Sequence, residues 1–225
     1  MSPLAVVQTA VSKGLDLIGI CDHNSAENVL AAKRAARARG LTVLGGMEVA
    51  SEEEAHILVF FDRDDDLLGF QEVVYRHLIG RNDEKRFGQQ VIADEDDGVT
   101  GFCDRLLIAA TSLSTEKIVA AARSSAGETL VIAAHVDRDV FSLIGQLGFI
   151  PPHLSLDAVE ISRHLTVAEA KSRLPDCRRY PVITGSDAHH PDDIGSRPVL
   201  LTVEEGTVVE VKKALAGRDG RKVVF

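Results

Sequence analysis

The run Leu15–Cys21 reads as a buried strand and gives way at once to Asp22-His23-Asn24. The apolar run Pro181-Val182-Ile183-Thr184 ends in the same manner, in Gly185-Ser186-Asp187-Ala188-His189-His190. A strand that stops in a carboxylate and an imidazole constrains the fold, because those groups need water, a hydrogen-bond partner or a cation and so belong at a rim. Two such strand ends imply one polar mouth.

Between them, apolar runs alternate with amphipathic stretches. Helical spacing puts Leu4, Val7 and Val11 on one face of a helix over Leu4–Ser12, with Gly14 as its stop. Ser25 is positioned to cap an Ala- and Arg-rich helix that reaches Arg39, and Gly40 supplies the left-handed residue after it. Strands are expected at Leu41–Val49 and Ala55–Phe61, separated by Glu52-Glu53-Glu54, which reads as a solvated acidic turn. Asp64–Ile79 has a helical stripe in Leu67, Phe70, Val74 and Leu78. Phe87–Phe102 carries the Asp96-Asp97-Gly98 turn chemistry of an inserted β-hairpin.

Alternation resumes with a helix Ser114–Ser124, a strand Thr129–Ala134, a helix Val140–Leu147, a strand Leu156–Ile161 and a helix Val167–Arg173. Pro181–Thr184 and Val199–Val203 follow as strands, then a helix Glu204–Leu215 and a last strand at Val223. Repeated βα units predict an α/β fold with a parallel sheet covered by helices, closed into a barrel or open and doubly wound. No Gly-rich phosphate loop follows any strand, which weighs against a dinucleotide-binding sheet.

At 225 residues the chain fits a single domain, 1–225. Its formal net charge of −9 argues against a long nucleic acid as partner, leaving a small phosphorylated substrate as the expectation. Cys21, Cys103 and Cys177 form no CxxC pair, so a reducing compartment is expected. No leader pattern and no apolar run of roughly 20 residues is present, so the expectation is a cytoplasmic protein with no membrane partner. Oligomeric state is unreadable, although the hairpin looks like a protrusion suited to pairing.

The polar residues at the strand ends are Asp22, His23, Glu48, His56, His135, Glu160, Asp187 and His189. Neutral imidazoles and carboxylates are the donors that zinc, manganese and iron accept. His77, His153 and His164 lie in helix or loop patterns and read as surface residues, and His190, next to Asp187-x-His189, reads as exposed, with an outer partner of the ligands as the alternative. Asp22 is a candidate to orient the His23 ring, as ligating imidazoles usually require.

In order, Cys21-Asp22-His23-Asn24, Gly46-Met47-Glu48, His56-Ile57-Leu58, Ala134-His135-Val136-Asp137-Arg138 and Gly185-Ser186-Asp187-Ala188-His189 resemble motifs of the polymerase and histidinol phosphatase (PHP) superfamily. The resemblance implies a distorted seven-stranded (β/α)7 TIM-like barrel whose mouth holds two or three divalent ions and hydrolyses phosphate esters. It further implies that Glu48 bridges two metals, that His56 and His135 bind the second, that Asp187 binds the first, and that His23 and His189 bind a third. Glu48 and Asp187 would be catalytic through those ions, with Arg138 gripping a substrate phosphate.

One departure stands out. Members of the superfamily open on a strand bearing His-x-His, and no His precedes residue 20 here. Either that first strand is missing from the chain or the protein is a degenerate member, and the first is favoured because a barrel wall is harder to lose than a ligand. Three readings follow: a phosphoesterase weakened by the missing ligands, a non-catalytic binding module, or a metal-dependent amidohydrolase.

Overall fold

The computed structural model describes residues 1–224. In chain order the elements are α1 (Pro3–Ser12), β1 (Leu17–Ile20), α2 (Val29–Ala36), β2 (Thr42–Ala50), β3 (His56–Phe61), α3 (Asp64–His77) and α4 (Glu84–Phe87). They continue with β4 (Val91–Ala93), β5 (Val99–Phe102), α5 (Thr115–Arg123), β6 (Thr129–Ala133), α6 (Leu143–Leu147) and β7 (Ala158–Ile161). The chain closes with α7 (Val167–Arg173), β8 (Val182–Thr184), β9 (Leu200–Thr202), α8 (Val208–Ala216) and β10 (Lys222–Val224).

Six strands form one mixed sheet in the order β1-β2-β3-β6-β7-β8, curled as a half-barrel. This curled sheet is consistent with the distorted barrel expected of a chain without its first strand, and it departs from a wholly parallel sheet in two ways. First, β9 and β10 pair only with each other, antiparallel, outside the main sheet. Second, β3 runs antiparallel to both β2 and β6, while β1–β2, β6–β7 and β7–β8 are parallel. The connection between β2 and β3 is too short for a parallel crossover, so the chain has to turn back on itself. That reversal carries the first residue of β3, His56, to the rim where the other strands end.

Side-chain alternation then divides the sheet into two faces. Met47, Val49, Ile57, Val59, Phe61, Val131, Ala133, Val159 and Ile161 point to one side, where Leu67, Phe70 and Val74 of α3 and Ile118, Val119 and Ala122 of α5 cover them. Leu44, Phe60, Leu130, Ile132 and Ala158 point to the other and meet Val208 and Val211 of α8. Glu48 and Glu160 have the parity of this second face, one turn of the pleat beyond its apolar filling. The floor is greasy and the rim polar.

Phe60 fits this face because two glycines make room for it. A Cβ on Gly19 would lie 2.5 Å from its ring, and one on Gly46 would lie 2.6 Å from the ring and 2.6 Å from the Val59 carbonyl oxygen.

Several local expectations are revised. The buried stripe of α1 is Pro3, Val7 and Ala10, whereas Val11 is exposed. Helix α2 starts at Val29 rather than after Ser25, because Asp22 and Ser25 close a tight bridge and the Ser25 hydroxyl meets Tyr75 Oη at 3.0 Å. The acidic turn is not merely solvated: Glu53 Oε2 accepts from Thr115 N and Thr115 Oγ1 at 3.0 and 2.9 Å, at the start of α5. The β4–β5 hairpin folds back on the body instead of protruding. Asn28 donates to the Val91 carbonyl and accepts from Ala93 N, while Asp97 receives Ser2 Oγ at 2.6 Å and Leu4 N at 2.9 Å.

Candidate metal centre

The first strand end is held by backbone and by one buried amide. Glu48 N donates to the Asp22 carbonyl at 3.1 Å and Asn24 N to the Glu48 carbonyl at 2.8 Å, so the β1–β2 pairing runs on past β1 to His23 and Glu48. Asn24, fully buried with φ 49°, donates from Nδ2 to the Leu107 and Ala109 carbonyls and accepts from Ala50 N. Its left-handed backbone suits an Asn better than most residues. His23 is thereby aimed inward.

Three imidazoles converge on one carboxylate. His56 Nδ1 lies 2.9 Å and His135 Nε2 3.3 Å from Glu48 Oε1, while His23 Nδ1 lies 3.3 Å from Glu48 Oε2. Ring centroids are 5.2 Å apart for His23–His56 and 5.3 Å for His56–His135. Donor atoms of His23, Glu48 and His56 all lie within 4.8 Å of one another.

Electrostatics follow from burial and these partners. Burial alone would raise the Glu48 carboxyl, but hydrogen bonds from His135 and His56 and the nearby His23 overcome it and hold the group well below the usual carboxylate range. Burial pushes His23 down, against the pull of Glu48, so its ring favours the neutral form that binds metals. Burial pushes Glu160 up to about 7, with Glu48 and Asp187 adding to the effect and the His135 backbone N–H opposing it.

Asp187 and His189 border this cluster on the His23 side. The His23 and His189 rings are 6.2 Å apart, His189 Nδ1 lies 3.0 Å from the Asp187 carbonyl oxygen, and the Asp187 carboxylate is paired with the Arg138 guanidinium. His135 and Asp187 both have positive φ, 26° and 42°, at the ends of β6 and β8. Backbone strain of this kind collects at functional sites.

Asp22 does not orient His23: its side chain is exposed, and its contribution is the backbone carbonyl that receives Glu48 N. His153, His164 and His190 are exposed, as expected, whereas His77 is half-buried, with Nδ1 3.0 Å from Ser112 Oγ. Beside the cluster lies a cavity of ≈ 290 Å³ lined by His135, Arg138, Glu160, Arg163, Asp187 and His189, among others. Arg163, paired with Asp193 at 3.0 Å, was missed in the sequence although it follows the β7 strand end by two residues. Asp137 was also missed; it receives Ser162 N and Oγ at 2.7 and 2.6 Å and so ties the β6 and β7 loops together.

The donor set fits a divalent cation. A carboxylate held ionised among three imidazoles is the nitrogen and oxygen chemistry that first-row metals accept. His135 Nδ1 is buried with no hydrogen-bond partner among the described residues, an unmet polar atom of the kind that a ligand satisfies.

No family model matches the chain. The chain is 27% identical over 242 residues to the uncharacterized protein YqxK of Bacillus subtilis (strain 168), covering 97% of this chain and 56% of that protein. Among solved structures, the lesion-specific endonuclease PfuEndoQ of Pyrococcus furiosus has the same fold, with a TM-score of 0.63 at 20% identity over 99% of this chain and 53% of the other. A Bifidobacterium adolescentis protein assigned as a metal-dependent phosphoesterase aligns with a TM-score of 0.59 at 19% identity, over 96% and 90% of the two chains. At these identities the likeness to the solved structures is one of fold. The chain spans about half the length of YqxK and of the endonuclease it matches.

One expectation is overturned. Endonuclease Q has also been solved with a 27-mer duplex substrate bearing an abasic lesion at its active site, and that structure matches this chain with a TM-score of 0.64 at 19% identity. Net negative charge therefore does not exclude nucleic acid for this fold. A charge of −9 is a sum over the whole surface, whereas phosphates respond to the local field, and the cavity brings Arg138 and Arg163 together with Glu160, Asp187 and Asp193. No helix among the described residues is long and apolar enough to cross a membrane.

Proposed function

We propose that the chain is a metal-dependent hydrolase of phosphate ester bonds. The observation that carries this reading is the convergence of His23, His56 and His135 on the ionised Glu48 carboxylate. Those four residues would hold divalent cations, with Asp187 and His189 completing the set on the His23 side. Such cations supply Lewis acidity toward a phosphoryl oxygen and activate water for attack.

The rest is the work of the chain's own groups. Arg138 and Arg163 face the cavity and can orient phosphoryl oxygens through their forked donors. The Arg138–Asp187 pair must open for Asp187 to ligate, so arginine and cation exchange roles there. Glu160, whose carboxyl burial raises, lines the cavity beside His135 and is placed to hand a proton to a departing alkoxide oxygen. The apolar floor of Leu44, Phe60 and Ile132 keeps water out from below. Fold likeness to an endonuclease brings nucleic-acid phosphodiesters among the bonds to be tested.

The test is elemental analysis of the purified protein, together with hydrolysis of bis(p-nitrophenyl) phosphate, p-nitrophenyl phosphate and a duplex bearing an abasic site, with Glu48→Gln as control. Metal-dependent turnover that is lost in Glu48→Gln supports the reading. A protein that takes up no zinc, manganese or iron and cleaves no ester, or one that turns over carboxamides instead, overturns it.

A further inference from the structure

The loop after β6 holds a side chain that neither packing nor metal binding explains. Phe141 is 46% exposed, yet its ring lies parallel to His56, with centroids 5.1 Å apart and an interplanar angle of 15°. Its backbone has φ 60°, a conformation that is costly for a bulky residue without a glycine's freedom. An exposed phenylalanine would ordinarily relax out of such a conformation.

The surroundings hold it in place. His56 N donates to the Phe141 carbonyl at 3.0 Å, Arg138 N to the His135 carbonyl at 2.9 Å, and Ser142 Oγ to the Arg138 carbonyl at 2.6 Å. Gly145 backs the loop so closely that a Cβ there would sit 2.4 Å from the Asp139 carbonyl oxygen and 2.8 Å from that of Arg138. One short, pinned loop thus presents two groups on either flank of the imidazole cluster. Arg138 reaches Asp187 on one side, and Phe141 covers His56 on the other. With one face of the ring resting on a candidate ligand, the remaining exposed surface is open to a planar group.

We infer that Phe141 is a stacking platform for a planar heteroaromatic ring carried by the substrate, so that the substrate class is a phosphate ester of a nucleoside. The inference rests on the hydrolase reading above for its catalytic readout, and on binding alone for its second. Substrate stacked on Phe141 would set its phosphate beside Glu48 and the three imidazoles. Specificity then comes from the ring, which every nucleobase offers, rather than from a base-reading hydrogen bond.

Two esters with the same leaving group separate the possibilities: the p-nitrophenyl ester of thymidine 5′-phosphate and methyl p-nitrophenyl phosphate. In Phe141→Ala the ratio of kcat/KM for the nucleoside ester over the methyl ester should fall about tenfold, the size of one lost base stack, and Phe141→Tyr should restore it. An unchanged ratio overturns the inference, because a purely structural role for Phe141 would affect both esters alike. The chain contains no tryptophan, so Phe141→Trp provides a single fluorescent reporter. Thymidine 5′-phosphate should quench it at concentrations where ribose 5-phosphate does not; equal quenching by both overturns the platform. If no ester is hydrolysed by the unaltered protein while selective quenching persists, the hydrolase reading fails and the platform stands.

Discussion

Glu48 and His56 face each other diagonally across the antiparallel β2–β3 ladder: Glu48 is paired with Leu58 and His56 with Ala50, and their side chains meet at 2.9 Å. Diagonal neighbours in such a ladder are within reach of long side chains, so the register of two buried strands fixes this contact. Glu48 therefore cannot be replaced without disturbing the ring beside it. Glu48→Gln should lower affinity for zinc or manganese by at least about 100-fold, beyond the effect of losing an outer partner. Isothermal titration of the metal-free protein measures it, and retained affinity would remove Glu48 from the site.

Metal uptake should release protons and weaken in acid. In the metal-free cluster the ionised Glu48 is satisfied by ring N–H groups, and a cation has to displace those hydrogens. The His23 ring, lowered by burial, stays neutral to a lower pH than an ordinary histidine. Affinity should therefore hold near neutral pH and fall as pH drops through the histidine range, by up to about tenfold per pH unit for each ring protonated. Titrations in two buffers of different ionisation enthalpy count the protons; identical heats in both would refute the displacement.

Gly46→Ala should destabilise the fold by about 1–3 kcal/mol, since the new methyl group meets both the Phe60 ring and the Val59 carbonyl oxygen. The backbone contact is the one that cannot rotate away. Urea unfolding gives the difference, and Glu48, two residues on, should lose metal affinity with it. Wild-type stability would mean that the notch is looser than its geometry implies.

Far from the mouth, Glu210 anchors the start of α8. It receives Arg221 Nε at 2.8 Å, Lys213 Nζ at 2.7 Å and Glu204 N at 3.0 Å, and these bonds, Arg221 foremost, lower its carboxyl to about 2. A depressed folded-state pKa stabilises the protein above the ordinary glutamate range and loses that contribution as pH falls toward 2. Glu210→Gln should thus lower Tm by a few degrees at pH 7, and the gap should narrow between pH 4.5 and 2. A gap that widens in acid would reverse the assignment.

What the sequence displayed depended on how local the cause was. Ser114 announced α5, because a cap involves neighbours only, whereas α6 begins at Leu143, after its Ser142 cap, and not at Val140 as its apolar spacing suggested. The reversed β3 was hidden, since strand direction is set by pairing partners; the shortness of the Ser51–Ala55 link was the available signal. Strand ends picked out His23, Glu48, His56 and His135, which the fold brings together, and metal analysis is what tests their ligation. Asp22 misled because adjacency in the chain says nothing of which way a side chain turns. Phe141 was invisible for a related reason: neither its left-handed backbone nor its contact with His56, 85 positions away, leaves a local trace.

Ser2 offers α1 no side-chain cap, and the carboxylate that serves instead, Asp97, sits in the hairpin turn. A ten-residue helix has little stability by itself in water. Its apolar side is seated on Ala32, Ala35 and Ala36 of α2, so the distant carboxylate works as a clasp, buckling the hairpin onto a helix whose bed is built by neighbouring elements.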